Sequence, residues 1–448
     1  MHEPLGHRAL RALYSLVIRL ALPLSLYYLI WRGLRQSEYF DRWSERFALY
    51  RSQPIPDCLW LHAVSVGEVN AAIPLVNALR QAHPQRPLLV TTTTPTGSAR
   101  VRALWGDSVL HVYLPYDLPG AVRNFLDHFH PVIAIVMETE IWPNLFAELQ
   151  RREVPAIIAN ARLSERSFKA YRPIAPLVRI TMRTIDHVAA QSEGDAARYR
   201  KLGARPESVH ATGNLKYDLP IPADLQETAR HWRTRWGIAR PVWIAASTPP
   251  EEEAVVLQAH RAVLARYPDA LRLWAPRHPA RFAAAAAASA RAGLRVATRR
   301  IDGLAHADSE VFVVDTLGEL MAFYAAADVA FVGGSLQEIG GHNLLEPAAF
   351  GVPALVGPHT FNFIEITDLL LGTGTVQRIS DATSLGAKLC ELLANPQERS
   401  RRGEAGRLRI ETERGALART LKLVESCLDY SASSRSTASS AASASATR

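Results

Sequence analysis

The chain contains little cysteine and no pattern of cysteine pairs. Its three cysteines, Cys58, Cys390 and Cys427, lie far apart in the 448 residues, and no Cys-x-x-Cys occurs. This spacing argues against a disulfide framework and against a structural zinc site. It is typical of proteins that fold in a reducing compartment.

Two further patterns are missing. No Asp-x-Asp occurs, and the histidines do not have the spacing of metal ligands, so neither a metal ion nor a cofactor is expected. No Gly-x-Gly-x-x-Gly follows the first apolar run, so the glycine pattern of a dinucleotide site is absent as well.

Positive charge, in contrast, is in excess. The formal net charge is +8, and arginine supplies most of it, since lysine is scarce. Arginine binds phosphate and carboxylate groups through two parallel hydrogen bonds. Nucleic acid, an anionic membrane or small anionic substrates would each explain the excess. Nucleic acid is the least favoured, because neither an RNA-binding aromatic pair nor a helix-turn-helix pattern is present.

The N-terminus is basic and then apolar. Residues 12–31 have the length of a membrane span, but Arg19 and Pro23 interrupt them. They predict either one short span or a helix that lies in the bilayer surface, with a buried first helix as the alternative. Arginines follow this segment, which places the body of the protein on the cytoplasmic side of the membrane. We therefore assign residues 1–35 as a membrane anchor.

The rest of the chain alternates short apolar runs with helical stretches. Strands are predicted at 58–63, 87–92, 110–114, 132–137, 156–159, 187–190, 209–212, 242–246, 271–275, 311–314, 329–333 and 353–356. This alternation predicts two consecutive α/β domains, each with a parallel sheet, that face each other across a cleft. The predicted boundaries are 36–216 for the first domain, 217–240 for a linker, 241–430 for the second domain and 431–448 for a disordered Ser/Ala-rich tail.

Ligands of open parallel sheets bind beyond the carboxyl ends of the strands, so the loops after strands are the candidate sites. In the first domain, Ser65-Val66-Gly67-Glu68 is either a capping box at a helix start or a general base, Glu68, that points into the cleft. Glu138 follows the fourth strand and is the better candidate of two acids there, since Glu140 is placed at the helix start; acids at a helix N-terminus are the alternative explanation. Lys216 lies at the end of the domain and is either a solvated side chain or a positive charge for a leaving phosphate.

In the second domain, Arg277 follows a strand and lies at a predicted helix start. Gly318 lies at a second predicted helix start, where glycine is unusual because it weakens the helix. The strongest pattern is Gly333-Gly334-Ser335 followed by Gly340-Gly341-His342-Asn343, with a helix predicted near Asn343. Backbone N–H groups of glycine loops and helix starts bind phosphate, so we predict a phosphate loop at Gly340, Gly341 and His342. Glu346 would then accept hydrogen bonds from ribose hydroxyls.

Six motifs in order resemble one known family, the 3-deoxy-D-manno-octulosonic acid (Kdo) transferases of lipopolysaccharide assembly. They are His62-Ala63-Val64-Ser65-Val66-Gly67-Glu68, Thr92-Thr93-Thr94-Pro95-Thr96-Gly97-Ser98, Leu114-Pro115-Tyr116-Asp117, Met137-Glu138-Thr139-Glu140-Ile141-Trp142-Pro143-Asn144, Asn160-Ala161-Arg162-Leu163-Ser164, and Gly340-Gly341-His342-Asn343 with Glu346-Pro347-Ala348. The resemblance extends over almost the whole chain.

The resemblance implies a GT-B fold, CMP-Kdo as the donor, a lipid A precursor as the acceptor and a place at the cytoplasmic face of the inner membrane. It implies that Glu68 is the general base and that Glu138 and Lys216 support the transition state. The positions that match the family's CMP contacts are Pro276, Arg277, Leu317, Gly318, Glu319, Asn343, Leu344, Leu345 and Glu346.

One loop departs from the family pattern. Ser247-Thr248 is followed at once by Pro249-Pro250 and the acidic run 251–253, which is one residue shorter than usual, so its part in holding the donor is open. Two other functions are compatible with the residues alone. One is a different GT-B enzyme, such as a heptosyltransferase or an epimerase, and the other is a non-catalytic nucleotide-binding module on a membrane.

Overall fold

A computed structural model describes residues 4–51, 53–218, 221–222 and 224–429, in two compact units. The first unit runs to Asp218 and resumes at Arg414, and the second comprises Leu219–Glu413. The predicted disordered tail, residues 431–448, lies outside the described residues.

The first unit is built on a parallel sheet of seven strands in the order β3-β2-β1-β4-β5-β6-β7. The strands are β1 (Leu59–His62), β2 (Leu88–Thr92), β3 (Leu110–Tyr113), β4 (Ile133–Met137), β5 (Ala156–Ala161), β6 (His187–Ala190) and β7 (Val209–Ala211). The helices are α1 (Leu5–Arg35), α2 (Val66–Ala82), α3 (Pro95–Trp105), α4 (Pro119–Phe129), α5 (Pro143–Arg151), α6 (Glu165–Ala170), α7 (Ala175–Met182) and α8 (Glu193–Leu202).

The second unit has a parallel sheet of seven strands in the order β10-β11-β9-β8-β12-β13-β14. The strands are β8 (Val242–Thr248), β9 (Leu271–Pro276), β10 (Val296–Thr298), β11 (Val311–Val313), β12 (Val329–Val332), β13 (Ala354–Val356) and β14 (Val376–Arg378). The helices are α9 (Leu225–Trp236), α10 (Glu253–Arg266), α11 (Phe282–Arg291), α12 (Arg299–Asp302), α13 (Leu320–Ala326), α14 (Leu345–Ala349), α15 (Ile364–Gly372), α16 (Ala382–Ala394) and α17 (Pro396–Glu413).

Both faces of the first sheet are covered, which explains why its strands are continuous apolar runs. In β1, Trp60 packs into the core on one face, while Leu59 and Leu61 pack into the core on the other. This alternation of side chains along a strand needs apolar residues at every position. The strands predicted from sequence are therefore confirmed, with ends that shift by one or two residues. The exceptions are β10 and β14, three-residue edge strands that were not predicted.

Two predicted boundaries differ from the structure. The expected linker, 217–240, contains α9, whose Trp232 stacks on Phe323 at a ring distance of 4.5 Å, so this helix belongs to the second unit. The expected second domain, 241–430, ends earlier, because residues 416–429 form a helix, α18, that belongs to the first unit. The α9 segment was not recognised as a packed helix because arginines separate its aromatic residues. Helix α18 was not assigned to the first unit because no sequence pattern links it to a sheet that ends about 200 residues earlier.

Helix α18 returns to the first unit through a hydrophobic and a polar contact. Val424 and Leu428 are buried in the same core as β1 and α2. The carboxylate of Asp218 accepts hydrogen bonds from the backbone N–H groups of Gly415 and Leu417, each 2.7 Å long. These two bonds satisfy donors at the start of α18 that have no partner inside the helix.

Helix α1 is 31 residues long and is the one described helix that is long and apolar enough to cross a membrane. Most of its side chains are exposed. By length and composition it therefore qualifies as the membrane anchor that the sequence predicts.

We expect Asp218→Ala to loosen α18 without unfolding either sheet. Loss of two charge-assisted hydrogen bonds should lower the free energy of opening α18 by about 2 kcal/mol. Hydrogen exchange of the amides in residues 416–429 measures this change. Asp107→Ala, which removes an exposed acid whose side chain makes no hydrogen bond among the described residues, is the control. Equal exchange in the two variants would contradict the capping role.

Candidate active site

In the first unit the predicted acidic residues meet at one edge of the sheet. Strands β1 and β4 are neighbours, with His62 paired to Val136, and both are parallel. The loop that carries Glu68 and the loop that carries Glu138 therefore leave the sheet side by side. This arrangement follows from the strand order, which the sequence does not specify.

The carboxylate of Glu68 is fixed by its own loop. The backbone N–H of Val64 donates to Glu68 Oε2 at 2.8 Å, and the Ser65 hydroxyl lies 3.4 Å from Oε1. A capping box would need the Ser65 side chain to accept from the helix, and it accepts no such bond. The capping-box alternative is therefore wrong, because Glu68 turns back past the cap position and binds Val64 instead.

The neighbouring loop supports this conformation and leaves an approach open. The hydroxyls of Thr93 and Thr94 donate to the carbonyl oxygen of Val64 at 3.4 and 3.2 Å. Gly67 is exposed, and a Cβ at this position would meet only the Ser65 hydroxyl, at 3.7 Å. The absence of a side chain at Gly67 thus leaves the backbone beside Glu68 accessible to a ligand.

Three carboxylates share this edge, and the pKa values of two of them, Glu68 and Glu140, are raised. Burial raises the pKa of Glu68 to about 8, and the negative charges of Glu138 and Glu140 contribute to the rise. The hydrogen bond from the Val64 N–H acts in the opposite direction but does not cancel it. Burial and Glu138 raise the pKa of Glu140 to about 7. Glu140 was interpreted from sequence as a helix-start residue, but α5 begins later, at Pro143. It is a member of the site that sequence reasoning missed.

Glu138 occupies a strained backbone position. Its φ is +55°, in the left-handed region that residues with a Cβ seldom adopt. The conformation is held by a hydrogen bond from Glu138 N–H to the Ala159 carbonyl at 3.0 Å, and by the buried Tyr199 hydroxyl, which donates to the Glu138 carbonyl at 2.9 Å. Strain of this kind is maintained by surrounding contacts and is concentrated at functional sites.

Lys216 is at the same edge of the sheet but does not pair with the acids. It lies in a 3₁₀ turn, Leu215–Tyr217, that packs against α2. The turn is anchored by Asn160, whose side chain accepts from the Leu215 N–H at 2.9 Å, and by Asn214, which accepts from the Lys216 N–H at 3.0 Å. Among the described residues no carboxylate lies within salt-bridge distance of Lys216. Its half-buried ammonium group is therefore available to a ligand.

In the second unit the candidate residues follow four adjacent strands. The order β11-β9-β8-β12 brings together the loops that contain Leu317, Arg277, Pro249 and Gly333. All pairs are parallel, so these loops share the carboxyl edge of the sheet. The predicted nucleotide contacts are thus on neighbouring loops.

The backbone N–H groups of the first glycine loop, Gly333-Gly334-Ser335, are not available to bind an anion from solution. The buried carboxylate of Glu252 accepts hydrogen bonds from the N–H groups of Gly334, Ser335 and Leu336 at 2.9, 3.0 and 2.8 Å. A Cβ on Gly333 would lie 2.6 Å from Glu252 Oε2, so glycine is required for the contact. The shortened loop after β8 therefore supplies the anion of this glycine loop. Sequence reasoning missed Glu252, since nothing in its spacing connects it to glycines about 80 residues later.

The second glycine pair also has a structural role. Gly340 and Gly341 have φ of +101° and +75°, and a Cβ on Gly340 would collide with Asn362. The Gly341 N–H donates to the Gly334 carbonyl at 2.7 Å. This bond does not fit the prediction that the Gly341 amide cradles a phosphate. In addition, α14 begins at Leu345 and is five residues long, so its dipole is small.

Positive and polar side chains surround this loop instead. Burial and the nearby Arg277 and His278 lower the pKa of His342 to about 4, so its imidazole is neutral at pH 7. Asn343 donates to Glu346 Oε1 at 3.1 Å and accepts from the Leu345 N–H at 3.1 Å. The Arg277 side chain is exposed and has no hydrogen-bond partner among the described residues. An anion would therefore meet a guanidinium group whose hydrogen-bond donors are available.

The remaining predicted contacts divide into three groups. Pro276, Leu344 and Leu345 are buried. Leu317 is 75% exposed, and Gly318 has a φ of +88° with open space around it, so both are accessible. Glu319 is instead engaged by Arg299, at 2.6 Å, and by the Thr316 hydroxyl. This ion pair lowers the pKa of Glu319 and orients the start of α13.

Known proteins resemble this chain in both units. The family described as 3-deoxy-D-manno-octulosonic-acid transferase (kdotransferase) matches residues 41–219, and glycosyl transferases group 1 matches residues 304–409. A 3-deoxy-D-manno-octulosonic acid transferase from Haemophilus influenzae is 42% identical over 94% of this chain and 99% of its own length. One from Bordetella pertussis is 38% identical over 93% of this chain and 99% of its own.

Among solved structures, the UDP-GlcNAc 2-epimerase from Neisseria meningitidis covers 83% of this chain and 100% of its own, with a TM-score of 0.51 and 14% identity. This likeness concerns the fold. The C-terminal CMP-Kdo binding domain of WaaA from Acinetobacter baumannii is 32% identical, covers 42% of this chain and 98% of its own, and has a TM-score of 0.40.

The expected fold, two Rossmann-like parallel-sheet domains of the GT-B class with an apolar N-terminal helix, is confirmed. Both sheets and nearly the full length of the chain are accounted for by the transferase relatives. The chain is a glycosyltransferase and belongs to the Kdo transferase family.

Proposed function

We propose that the enzyme transfers Kdo from CMP-Kdo to a lipid A precursor, lipid IVA, by a direct inverting displacement in which Glu68 is the general base. The acceptor hydroxyl oxygen forms a bond to the anomeric carbon of Kdo while the bond from that carbon to the CMP phosphate oxygen breaks. The hydroxyl proton passes to Glu68. One displacement inverts the configuration at the anomeric carbon.

The observation that carries this proposal is the state of the Glu68 carboxylate. A pKa of about 8 makes it a stronger base than an ordinary glutamate, whose pKa is near 4.5. General bases are most effective when their pKa lies near the working pH. Its orientation is fixed by Val64, and Gly67 leaves room for a substrate. Glu138 and Lys216, at the same edge of the sheet, would support the charge of the transition state.

The second unit would bind the nucleotide. The unpaired guanidinium of Arg277 is suited to the phosphate of CMP, and the neutral His342 can donate or accept a hydrogen bond. Leu317 and Gly318 offer exposed surface to the base or ribose, and Asn343 with Glu346 offers polar groups for the ribose hydroxyls. These groups would neutralise the charge of the leaving phosphate. That the reaction needs no metal ion stays a prediction.

The location that fits this reaction is the cytoplasmic side of the inner membrane. Lipid IVA is a membrane lipid, and α1 would hold the enzyme at the surface where the acceptor lies. The basic excess of the chain suits a donor, an acceptor and a membrane that are all anionic.

Removal of the base should abolish transfer and spare nucleotide binding. We expect Glu68→Ala to lower the rate of Kdo transfer by about 10²–10⁴-fold, since that is the usual contribution of a general base. CMP affinity, measured by calorimetry, should stay unchanged. Glu207→Ala, which removes an exposed acid elsewhere in the first unit, is the control. Loss of CMP binding together with transfer would indicate a structural role, and near-normal transfer would refute the base assignment.

The pH profile should report the carboxylate cluster. Because the base must be ionised, kcat/KM is expected to rise as the pH increases through about 8. Glu140→Gln removes a like charge, so it should lower the pKa of Glu68 and move this limb to lower pH. Glu207→Gln should leave the limb in place. If the pH at which kcat/KM rises is unchanged or higher in Glu140→Gln, the negative charge of Glu140 does not raise the pKa of Glu68.

The glycine loop of the second unit gives a separate test of the donor site. In Glu252→Gln an NH₂ group replaces an acceptor that faces backbone N–H donors, so at least one donor loses its partner. We expect a loss of about 1–3 kcal/mol in the stability of this unit, and weaker CMP binding. Glu251→Gln, at the exposed neighbouring position, is the matched control. Thermal unfolding and calorimetry with CMP measure both effects, and unchanged values for Glu252→Gln would refute the role.

A further inference from the structure

Ser247, near the carboxyl end of β8, has a backbone conformation that no other non-glycine residue described in the second unit adopts. Its φ is +57°, whereas the other residues with a positive φ in the described part of that unit are all glycines. A residue with a Cβ seldom occupies this left-handed region, because the Cβ comes too close to backbone atoms. Such conformations are maintained by surrounding contacts and are concentrated at functional sites. No role was assigned to Ser247 from the sequence.

A β-bulge accounts for this conformation. The register between β8 and β9 shifts between Ala246 and Thr248, so Ser247 is the additional residue on β8. Thr248 takes the buried position beside it, and its hydroxyl accepts a hydrogen bond from the Trp274 indole N–H at 2.9 Å. Ser247 is thereby left outside the regular pairing of the sheet. Bulges of this kind occur next to active sites, where they redirect a single side chain.

The segments on either side hold the bulge in place. On one side, the Ala246 carbonyl accepts a hydrogen bond from the Gly333 N–H at 2.8 Å. On the other, the Thr248 carbonyl accepts from the Arg277 N–H at 3.0 Å. A Cβ on Gly333 would lie 2.7 Å from the Thr248 Cα and 3.0 Å from the Ser247 carbonyl oxygen, so glycine is required for this packing. The bulge is therefore in direct contact with the segments that follow β9 and β12.

The hydroxyl group of Ser247 is not used to stabilise the fold. Ser247 is half-buried, and its hydroxyl makes no hydrogen bond to any described residue, in contrast to the hydroxyl of Thr248. The side chain of Arg277, in the loop after the adjacent strand β9, likewise has no hydrogen-bond partner there. A hydroxyl and a guanidinium group that follow neighbouring parallel strands are placed to donate to the same anion.

The backbone donors of the two glycine loops are largely engaged already. The three N–H groups of residues 334–336 donate to the carboxylate of Glu252, and the Gly341 N–H donates to the Gly334 carbonyl. A phosphate at this edge of the sheet therefore takes its hydrogen bonds mainly from side chains. The unused hydroxyl of Ser247 is such a donor, and it lies on the central part of the edge, between the loops after β9 and β12.

We propose that Ser247 binds the donor substrate: its hydroxyl donates a hydrogen bond to the phosphate of CMP-Kdo, beside the guanidinium group of Arg277. This role rests on the proposed donor and adds a contact to it, since Ser247 is not among the positions that match the family's CMP contacts. The bulge fixes the direction of the Cα–Cβ bond before the ligand binds, which reduces the entropy lost on binding. The strained backbone is thus the means by which the fold keeps a hydroxyl donor at the phosphate.

Two variants of the full chain remove this hydroxyl in different ways. Ser247→Ala keeps a Cβ in the left-handed conformation, whereas Ser247→Gly relieves the strain. Loss of a hydrogen bond to a charged group should weaken CMP binding, measured by calorimetry, by about 10–100-fold in both variants. Their stability should not fall with it. We expect the Tm of Ser247→Ala to stay within about 2 °C of wild type, and that of Ser247→Gly to be equal or higher by up to about 4 °C.

Cytidine, which shares the base and ribose of CMP but lacks the phosphate, identifies the group that Ser247 contacts. Its affinity, measured by competition with CMP, should be the same in wild type and in both Ser247 variants. An equal fold loss for cytidine and CMP would place Ser247 at the base or ribose and overturn the phosphate contact. The matched control is His130→Gly, which relieves a left-handed φ of +40° at an exposed position of the first unit and should leave CMP affinity unchanged.

The binding of CMP by the wild-type protein separates this role from the proposed function. If the wild type does not bind CMP, the proposed donor is wrong and the role of Ser247 falls with it. If the wild type binds CMP and both Ser247 variants bind it equally well, only the role of Ser247 is overturned. A fall in Tm of both variants that accompanies weaker binding would show that the hydroxyl stabilises the loop, and this result would also overturn the proposed contact.

Discussion

The parallel direction of every strand is the constraint on which this enzyme depends. In each sheet the carboxyl ends of the strands lie at one edge, so residues that follow different strands come together although they are far apart in sequence. Glu68 and Glu138 meet in this way because β1 and β4 are neighbours. The same constraint gathers the loops after β9, β8 and β12 in the second unit.

Two buried glutamates show how differently one chemical group can be used. Glu252 accepts three backbone hydrogen bonds and thereby holds the glycine loop in shape. Glu68 is mostly buried, receives one short backbone bond and faces two other acids, and burial together with these acids raises its pKa to about 8. The first carboxylate serves folding. A raised pKa of this kind is common at functional sites, and it is the property on which the proposed role of the second carboxylate rests.

The connections outside the sheets determine what belongs to the first unit. Helix α18 comes from the far end of the chain and is fixed by Asp218 and by apolar contacts with α2. Helix α1 comes from the other end and is fixed by Ser15 and Asn144. The domain that carries Glu68 is therefore completed by two helices from distant parts of the chain, and one of them, α1, has an exposed apolar face.

The class of fold, most strands and the candidate acids Glu68 and Glu138 were predicted correctly in position from the residue pattern alone. This was possible because buried parallel strands leave a continuous apolar pattern, and because loops after strands are short enough for their polar residues to be recognised. The edge strands β10 and β14 were missed, since each has one buried residue in three and forms no continuous apolar run. Helix α9 was taken for a linker because its aromatic residues are separated by arginines.

Only the tertiary structure decided which residues interact across long separations. It placed Glu252 under the glycine loop, added Glu140 to the acids around Glu68 and brought α18 back to the first sheet. Each of these depends on strand order or on helix docking between segments tens to hundreds of residues apart. Local residue patterns do not encode such contacts, because the free energy that selects them comes from burial and charge in the completed fold.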